Sequence, residues 1–191
     1  FPSGAEHDLL ICLKKIKKNE NIYKIKEIFG RLKYDIFFDE EANNDYDWGS
    51  YYRISKIHKN RIILFMNCHS YPIKKNWLFK FISNFKEKTI LAPTASHQSL
   101  TTSSFNNFYF KSIKQSLYYG ISNFRFFPLF PNPHLRSNSF MINSDDFLEL
   151  NLIKCKHKLD AWKNESGRNS MTNQLIKKNF NTLVVNDDGR S

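Results

Sequence analysis

The chain has 191 residues, enough for one domain with a buried core, and carries a formal charge of +11 at neutral pH. With 41% hydrophobic and 25% charged residues it is not a disordered composition, and no apolar run approaches the roughly 20 residues of a membrane span. Three widely spaced cysteines, Cys12, Cys68 and Cys155, argue against a disulfide framework and fit a reducing compartment.

Residues 9–13 are an apolar run of the length of a buried strand. Ile16, Ile22, Ile25, Ile28 and Phe29 then recur at helical spacing, predicting a helix over 14–32 that Gly30 weakens near its end. Lys14, Lys15, Lys17, Lys18, Lys24 and Lys26 form its solvated face. A strand is predicted at 34–38, an acidic Asn-rich loop at 39–47 and a helix at 48–57. The clearest buried strand is 61–66, followed by helical spacing of Trp77, Leu78, Phe81, Ile82 and Phe85, and by a strand at 89–92. Ser, Thr, Asn and Gln dominate 94–108, which reads as a long loop or lid, and a short helix is expected over 110–119. A strand at 139–142, helices at 145–150 and 171–178, and a strand at 182–185 complete the pattern. Strand and helix alternate, so the economical architecture is one α/β domain over 1–191, a mostly parallel sheet with helices on both faces. Because the chain begins at Phe1 and stops at Ser191 just after a strand-turn pattern, it reads as a fragment truncated at both ends.

Only seven of the 29 basic residues are Arg, the side chain that forks onto phosphates and bases, so the charge is not read as a nucleic-acid signature. Anionic substrates or a membrane surface are the better match, which leaves room for peripheral membrane association. In a parallel sheet, ligands sit beyond the carboxyl ends of the strands. That rule selects Asn67, His69 and Ser70 after the 61–66 strand, and residues 93–99 after the next, with strand-end capping as the alternative. No nucleophile elbow, phosphate-binding glycine loop or metal-type Cys/His spacing occurs.

The strand 63–66 with its polar end Asn67-Cys68-His69-Ser70, then Pro72 and Trp77-Leu78, resembles the centre of GT-A-fold glycosyltransferases. There the strand ends in Asp-x-Asp and a Trp-Leu helix follows. Residues 136–150 are similar to the acceptor-side strand and helix, and 158–185 to a stretch in which an acidic residue precedes a helix and a strand. More narrowly, His7-Asp8-Leu9, the 47–51 segment Asp-Trp-Gly-Ser-Tyr, the 131–140 segment Pro-Asn-Pro-His-Leu-Arg-Ser-Asn-Ser-Phe and the 165–168 segment Glu-Ser-Gly-Arg look like a group of bacterial glycosyltransferase-like proteins encoded with surface-polysaccharide genes.

The resemblance implies a Rossmann-like, GT-A type fold with a nucleotide-binding half over 1–93 and an acceptor and catalytic half over 94–191. It implies transfer of a sugar from a nucleotide-sugar donor to a glycan or lipid-linked acceptor, in the cytoplasm or at the inner face of the membrane. A non-catalytic domain that binds a nucleotide sugar or glycan is the other reading. Glu165 stands where the group places the base that takes the acceptor's proton, with Asp160 in reserve; a cap for the helix after Ser170, paired with Arg168, is its structural alternative. Arg136 and Arg168 are candidates for stabilising diphosphate charge, or for structural ion pairs. Asp47 and Gly49, with Asn67 and His69, are the donor-side candidates, Asp47 otherwise being a helix cap. Asn132, His134, Arg136 and Asn138 are assigned to the acceptor side, against a plain proline-rich turn around Pro131 and Pro133. Asn67-Cys68-His69 departs from Asp-x-Asp, so the expectation is no metal, or Mn²⁺ in preference to Mg²⁺.

Overall fold

The computed structural model describes residues 1–17, 22–106 and 112–191. Expectations that fall on Lys18, Phe108 and Phe110 lie outside the described residues. Strand β1 (Leu10–Lys14) pairs in parallel with β2 (Asp35–Asp39), and helix α1 (Tyr23–Phe29) lies between them in sequence. The helix expected from residue 14 begins later, because the strand runs to Lys14 and Lys15 turns into the left-handed region at φ 60°. Helix α2 (Tyr46–Ile57) precedes β3 (Ile62–Met66), helix α3 (Trp77–Asn84) and β4 (Thr89–Ala92).

Next come the two-residue strand β5 (Ala95–Ser96), helices α4 (Leu100–Asn106) and α5 (Ile113–Phe124), and β6 (His134–Leu135), which pairs antiparallel with β5. Strand β7 (Ser139–Asn143) leads into α6 (Ser144–Leu148), α7 (Lys158–Ser166), α8 (Met171–Lys177) and β8 (Asn181–Val184). No helix among the described residues is long and apolar enough to cross a membrane.

The mostly parallel, Rossmann-like GT-A sheet is not what the chain forms. Its main sheet has four strands in the order β3-β7-β4-β8, and β7 runs antiparallel to both β3 and β4. Among the described residues, only β4–β8 and the separate β1–β2 pair are parallel. The reason lies in the connection from β4 to β7. The chain leaves the carboxyl end of β4, passes through α4 and α5, and returns along β6 beside β5 at that same end. It enters β7 there without crossing the sheet, so β7 has to run the opposite way. Strand-helix alternation in the sequence does not distinguish a crossover helix from a helical excursion that returns to its starting edge. The segment expected as a loop at 94–108 accordingly holds both β5 and α4.

Side chains alternate across the central strands with the period of a pleated sheet. Phe140 and Ile142 of β7, with Ile90 and Ala92 of β4, face a core shared with α2, α6 and α8; Met141 and Leu91 face Leu78 and Phe81 of α3. The first core is an aromatic stack. Trp48 lies parallel to Phe147 at 6.4 Å, and Tyr51 and Phe140 approach Phe65 at 4.5 and 5.2 Å between centroids.

Helix α2 carries a second, ionic attachment. Arg53 Nε and Nη2 donate to the two oxygens of Asp39 at 2.6 and 2.7 Å, and Nη1 lies 2.6 Å from Asp45 Oδ2. Asp39 is 1% exposed and also accepts from Ser50 Oγ at 2.6 Å. Burial by itself would raise the Asp39 carboxyl, but the hydrogen bonds from Arg53 and Ser50 outweigh it and hold the group below its ordinary range. Removing the guanidinium strands two buried carboxylates. Arg53→Met should therefore cost about 3–5 kcal/mol in denaturant unfolding. The pH dependence has a definite sign: with its folded pKa depressed, Asp39 contributes fully above the unfolded value of 3.8, and the contribution is lost as pH falls through the lower folded value. Melting curves at descending pH should show that acid loss in the wild type and a weaker one in Arg53→Met.

Candidate functional site

Where β3 and β4 end and β7 begins, side chains from five places in the sequence meet. Glu165, in the last turn of α7, is largely buried and accepts through Oε2 from the Ser137 backbone N–H at 2.8 Å and from the Ser137 hydroxyl. Its other oxygen, Oε1, lies 3.4 Å from Arg136 Nη1. Residues 136–138 form the turn between β6 and β7, and they hold neighbours from both sides. Arg136 N–H donates to the Thr94 carbonyl at 3.1 Å, and Thr94 Oγ1 lies 3.3 Å from Asn138 Oδ1. The Asn138 carbonyl accepts from Asn67 N–H at 2.9 Å and lies 3.2 Å from Ser70 Oγ.

Tyr51 of α2 is buried beneath this turn and donates its hydroxyl to the Ser137 carbonyl at 3.4 Å. Burial pushes the Tyr51 phenol strongly upward, helped by Asp47, Cys68, Cys12 and Glu165 within electrostatic range, so it stays a proton donor. A carboxylate fixed by Ser137 and faced by an exposed cation can take a proton or orient a ligand hydroxyl. Polar backbone and side-chain groups around it offer hydrogen bonds to a polyhydroxylated or phosphorylated ligand.

The remaining candidates go elsewhere. Asp160 sits at the other end of α7, accepting through Oδ2 from the N–H groups of Lys156 and His157 at 3.1 and 3.2 Å. Those bonds hold its carboxyl below the usual range and give it a capping role. Arg168 meets Phe124 in place of Glu165. Its Nη2 donates to the Phe124 carbonyl at 3.0 Å, and its guanidinium lies 5.0 Å from the Phe124 ring centroid.

Asn132 is buried, donating through Nδ2 to the Ser166 carbonyl at 2.8 Å and through its backbone N–H to the His97 carbonyl at 2.9 Å. His134 is buried beside it, with Nδ1 2.7 Å from the Asn132 carbonyl, and burial lowers its pKa. Asn132 and His134 thus brace the turn from behind. Gly49 leaves space for Asp45: a Cβ there would lie 1.8 Å from Asp45 Oδ2.

Asn67 Oδ1 already faces His69 N–H at 3.1 Å and Ser70 Oγ at 2.9 Å, and closes its own turn. That oxygen is thus engaged within its own turn. Among the described residues no three His, Cys, Asp or Glu side chains are grouped to hold a metal ion.

Ser137 and Tyr51 escaped the sequence reading. Both lie inside segments that carried the resemblance, Tyr51 in 47–51 and Ser137 in 131–140, and Tyr51 also stands i,i+4 to Asp47 on α2, which is ordinary core spacing. Two open depressions lie outside the Glu165 cluster. One, of about 610 Å³, is lined by Lys14, Lys15, Asn44, Tyr46, Lys156, His157 and Lys158, and is strongly cationic. The other, of about 440 Å³, is lined by Gln98, Ser99, Thr102, Ser103, Asn106 and Phe130.

No family model matches the chain, and no curated protein or solved structure does so. The geometry separates Asp160 from Glu165 in a way that experiment can read. Asp160→Ala should lower stability by roughly 0.5–2 kcal/mol through loss of the α7 cap. It should leave the affinity for any ligand of the Glu165 cluster unchanged, as followed by thermal melting beside calorimetric titration.

Proposed function

We propose that the chain transfers a sugar from a nucleotide-sugar donor to a glycan or lipid-linked acceptor, with Glu165 as the base. The observation that carries this reading is the Glu165 carboxylate, held by Ser137 and faced by Arg136 at the end of the central strands. The shared motifs of residues 131–140 and 165–168, which pointed to surface-polysaccharide glycosyltransferases, supply the two halves of that pair.

In the proposed step the acceptor hydroxyl oxygen attacks the anomeric carbon and its proton passes to Glu165. The bond from that carbon to the diphosphate oxygen breaks, and the electron pair leaves with the diphosphate. Arg136 offers a guanidinium to the leaving charge. Tyr51 holds the 136–138 turn in register from below. Work on a lipid-linked acceptor would place the chain at the inner face of the membrane.

A second reading, a binding domain without turnover, is favoured by one specific contact. Glu165 Oε2 already accepts twice from Ser137, and its Oε1 faces a cation. A carboxylate so engaged is a better ligand clamp than a base unless the donor displaces Arg136.

Calorimetric titration of UDP, GDP and dTDP is the first test, with binding of at least one expected. Absence of binding for all three, with and without Mn²⁺, would sink the transferase reading. Glu165→Gln then separates the two readings. If Glu165 is the base, turnover falls by about 10²–10⁴-fold while nucleotide affinity stays. A wild type that binds a sugar nucleotide and turns nothing over leaves the clamp. Because Asn67 and His69 stand where Asp-x-Asp enzymes have two carboxylates, activity is expected to survive EDTA or at most to respond to Mn²⁺. An activity lost in EDTA and restored only by Mg²⁺ would contradict that expectation.

A further inference from the structure

Helix α5 is built inside out. The face it packs against α4 carries small or polar residues: Ser116 and Gly120 are buried, and Asn123 Nδ2 donates to Ser104 Oγ at 2.9 Å. Gly120 is needed there, since a Cβ would lie 2.3 Å from the Phe105 ring. The neighbouring face, about 90° around the helix, gives its large apolar side chains to solvent. Ile113, Leu117, Ile121 and Phe124 are 72, 52, 61 and 48% exposed. At 3.6 residues per turn these four fall within about 80° of the helix circumference, a continuous stripe. A helix in water normally turns such a stripe inward, and a stripe left outward marks a surface that something apolar covers.

The flanking charges are of one sign. Lys114 and Arg125 border the stripe, and Arg168 lies over the Phe124 ring at its end. Between Glu87 and Asp145 the sequence contains no Asp or Glu, although the whole chain has 18. The hairpin therefore projects from an entirely non-acidic segment of a protein with net charge +11.

We propose that the α4–α5 hairpin docks on an anionic phospholipid surface, with the α5 stripe in the acyl boundary and Lys114, Arg125 and Arg168 at the headgroups. The size of the stripe favours a bilayer over a protein. A helix of 12 residues is roughly 18 Å long, and its stripe covers a few hundred Å², well below the ~800 Å² per partner of a stable protein complex. A lipid interface requires only shallow apolar insertion beside cationic groups, and each basic residue adds to attraction by anionic headgroups. Leu129 and Phe130 are also exposed, and Phe130 N–H is tied to α4 through Thr102 Oγ1 at 2.9 Å. This docking is independent of the chemistry proposed for Glu165.

The test is co-sedimentation of the full chain with vesicles of phosphatidylglycerol and phosphatidylcholine, compared with phosphatidylcholine alone, and analytical ultracentrifugation without lipid. The wild type should partition onto the anionic vesicles and come off with rising salt. Leu117→Gln/Ile121→Gln should weaken partitioning roughly tenfold or more with an unchanged melting temperature. Lys114→Glu/Arg125→Glu should remove the preference for anionic lipid. If the first variant fails to fold, Ile113→Ser/Phe124→Ser reads the same stripe. A folded wild type that ignores anionic vesicles overturns the proposal, as does binding that neither stripe variant weakens. A lipid-independent dimer that the stripe variant converts to monomer also overturns it, and assigns the stripe to a second copy of this chain.

Discussion

The arrangement depends on the fork that Arg53 makes between Asp39 and Asp45. Among the described residues, strands β1 and β2 share no ladder with the four-stranded sheet. Helix α2 spans the gap. Its Ser50 and Arg53 reach the buried carboxylate at the end of β2, while Trp48 and Tyr51 enter the aromatic core over β3 and β7. Three charges are buried at a junction where apolar residues would pack more cheaply. What the charges add is direction, because a guanidinium forked onto one carboxylate and touching a second accepts few other positions for the helix.

That direction matters at the candidate site. Tyr51 lies on the helix that Arg53 anchors, so its place beneath the 136–138 turn is inherited from the buried ion network. From the other side, Thr172 Oγ1 accepts from Leu135 N–H at 3.0 Å and Asn132 grips the Ser166 carbonyl at the end of α7. The turn carrying Arg136, Ser137 and Asn138 is thus braced from α2, α7 and α8. Glu165 projects from α7 into a frame whose geometry is set before any ligand arrives, which is what a base or a clamp both require.

The two unusual surfaces lie on different parts of the chain. The lysine depression joins the end of β1 to the start of α7, whereas the α5 stripe belongs to the excursion between β4 and β7. The same excursion that reverses β7 also carries the outward apolar face.

The sequence by itself determined the central strands and their burial. The apolar runs at 61–66, 89–92 and 139–142 are β3, β4 and β7, because continuous β-branched and aromatic runs of that length have few other ways to be buried. It also marked the strand end 67–70 and the segments 131–140 and 165–168, where polar residues interrupt apolar ones. Strand direction was decided only in three dimensions, since it depends on which edge the chain returns to after α5 and not on any local preference. The same holds for partners. Glu165 next to Arg168 in sequence invites a pair, but one lies inside α7 and the other beyond its end, so Glu165 turns to Arg136 and Ser137 while Arg168 turns to Phe124. Asp39, Arg53 and Tyr51 read in one dimension as a strand end and two helix positions. Only the packing of α2 between two sheets makes them the anchor of the fold and the floor of the candidate site.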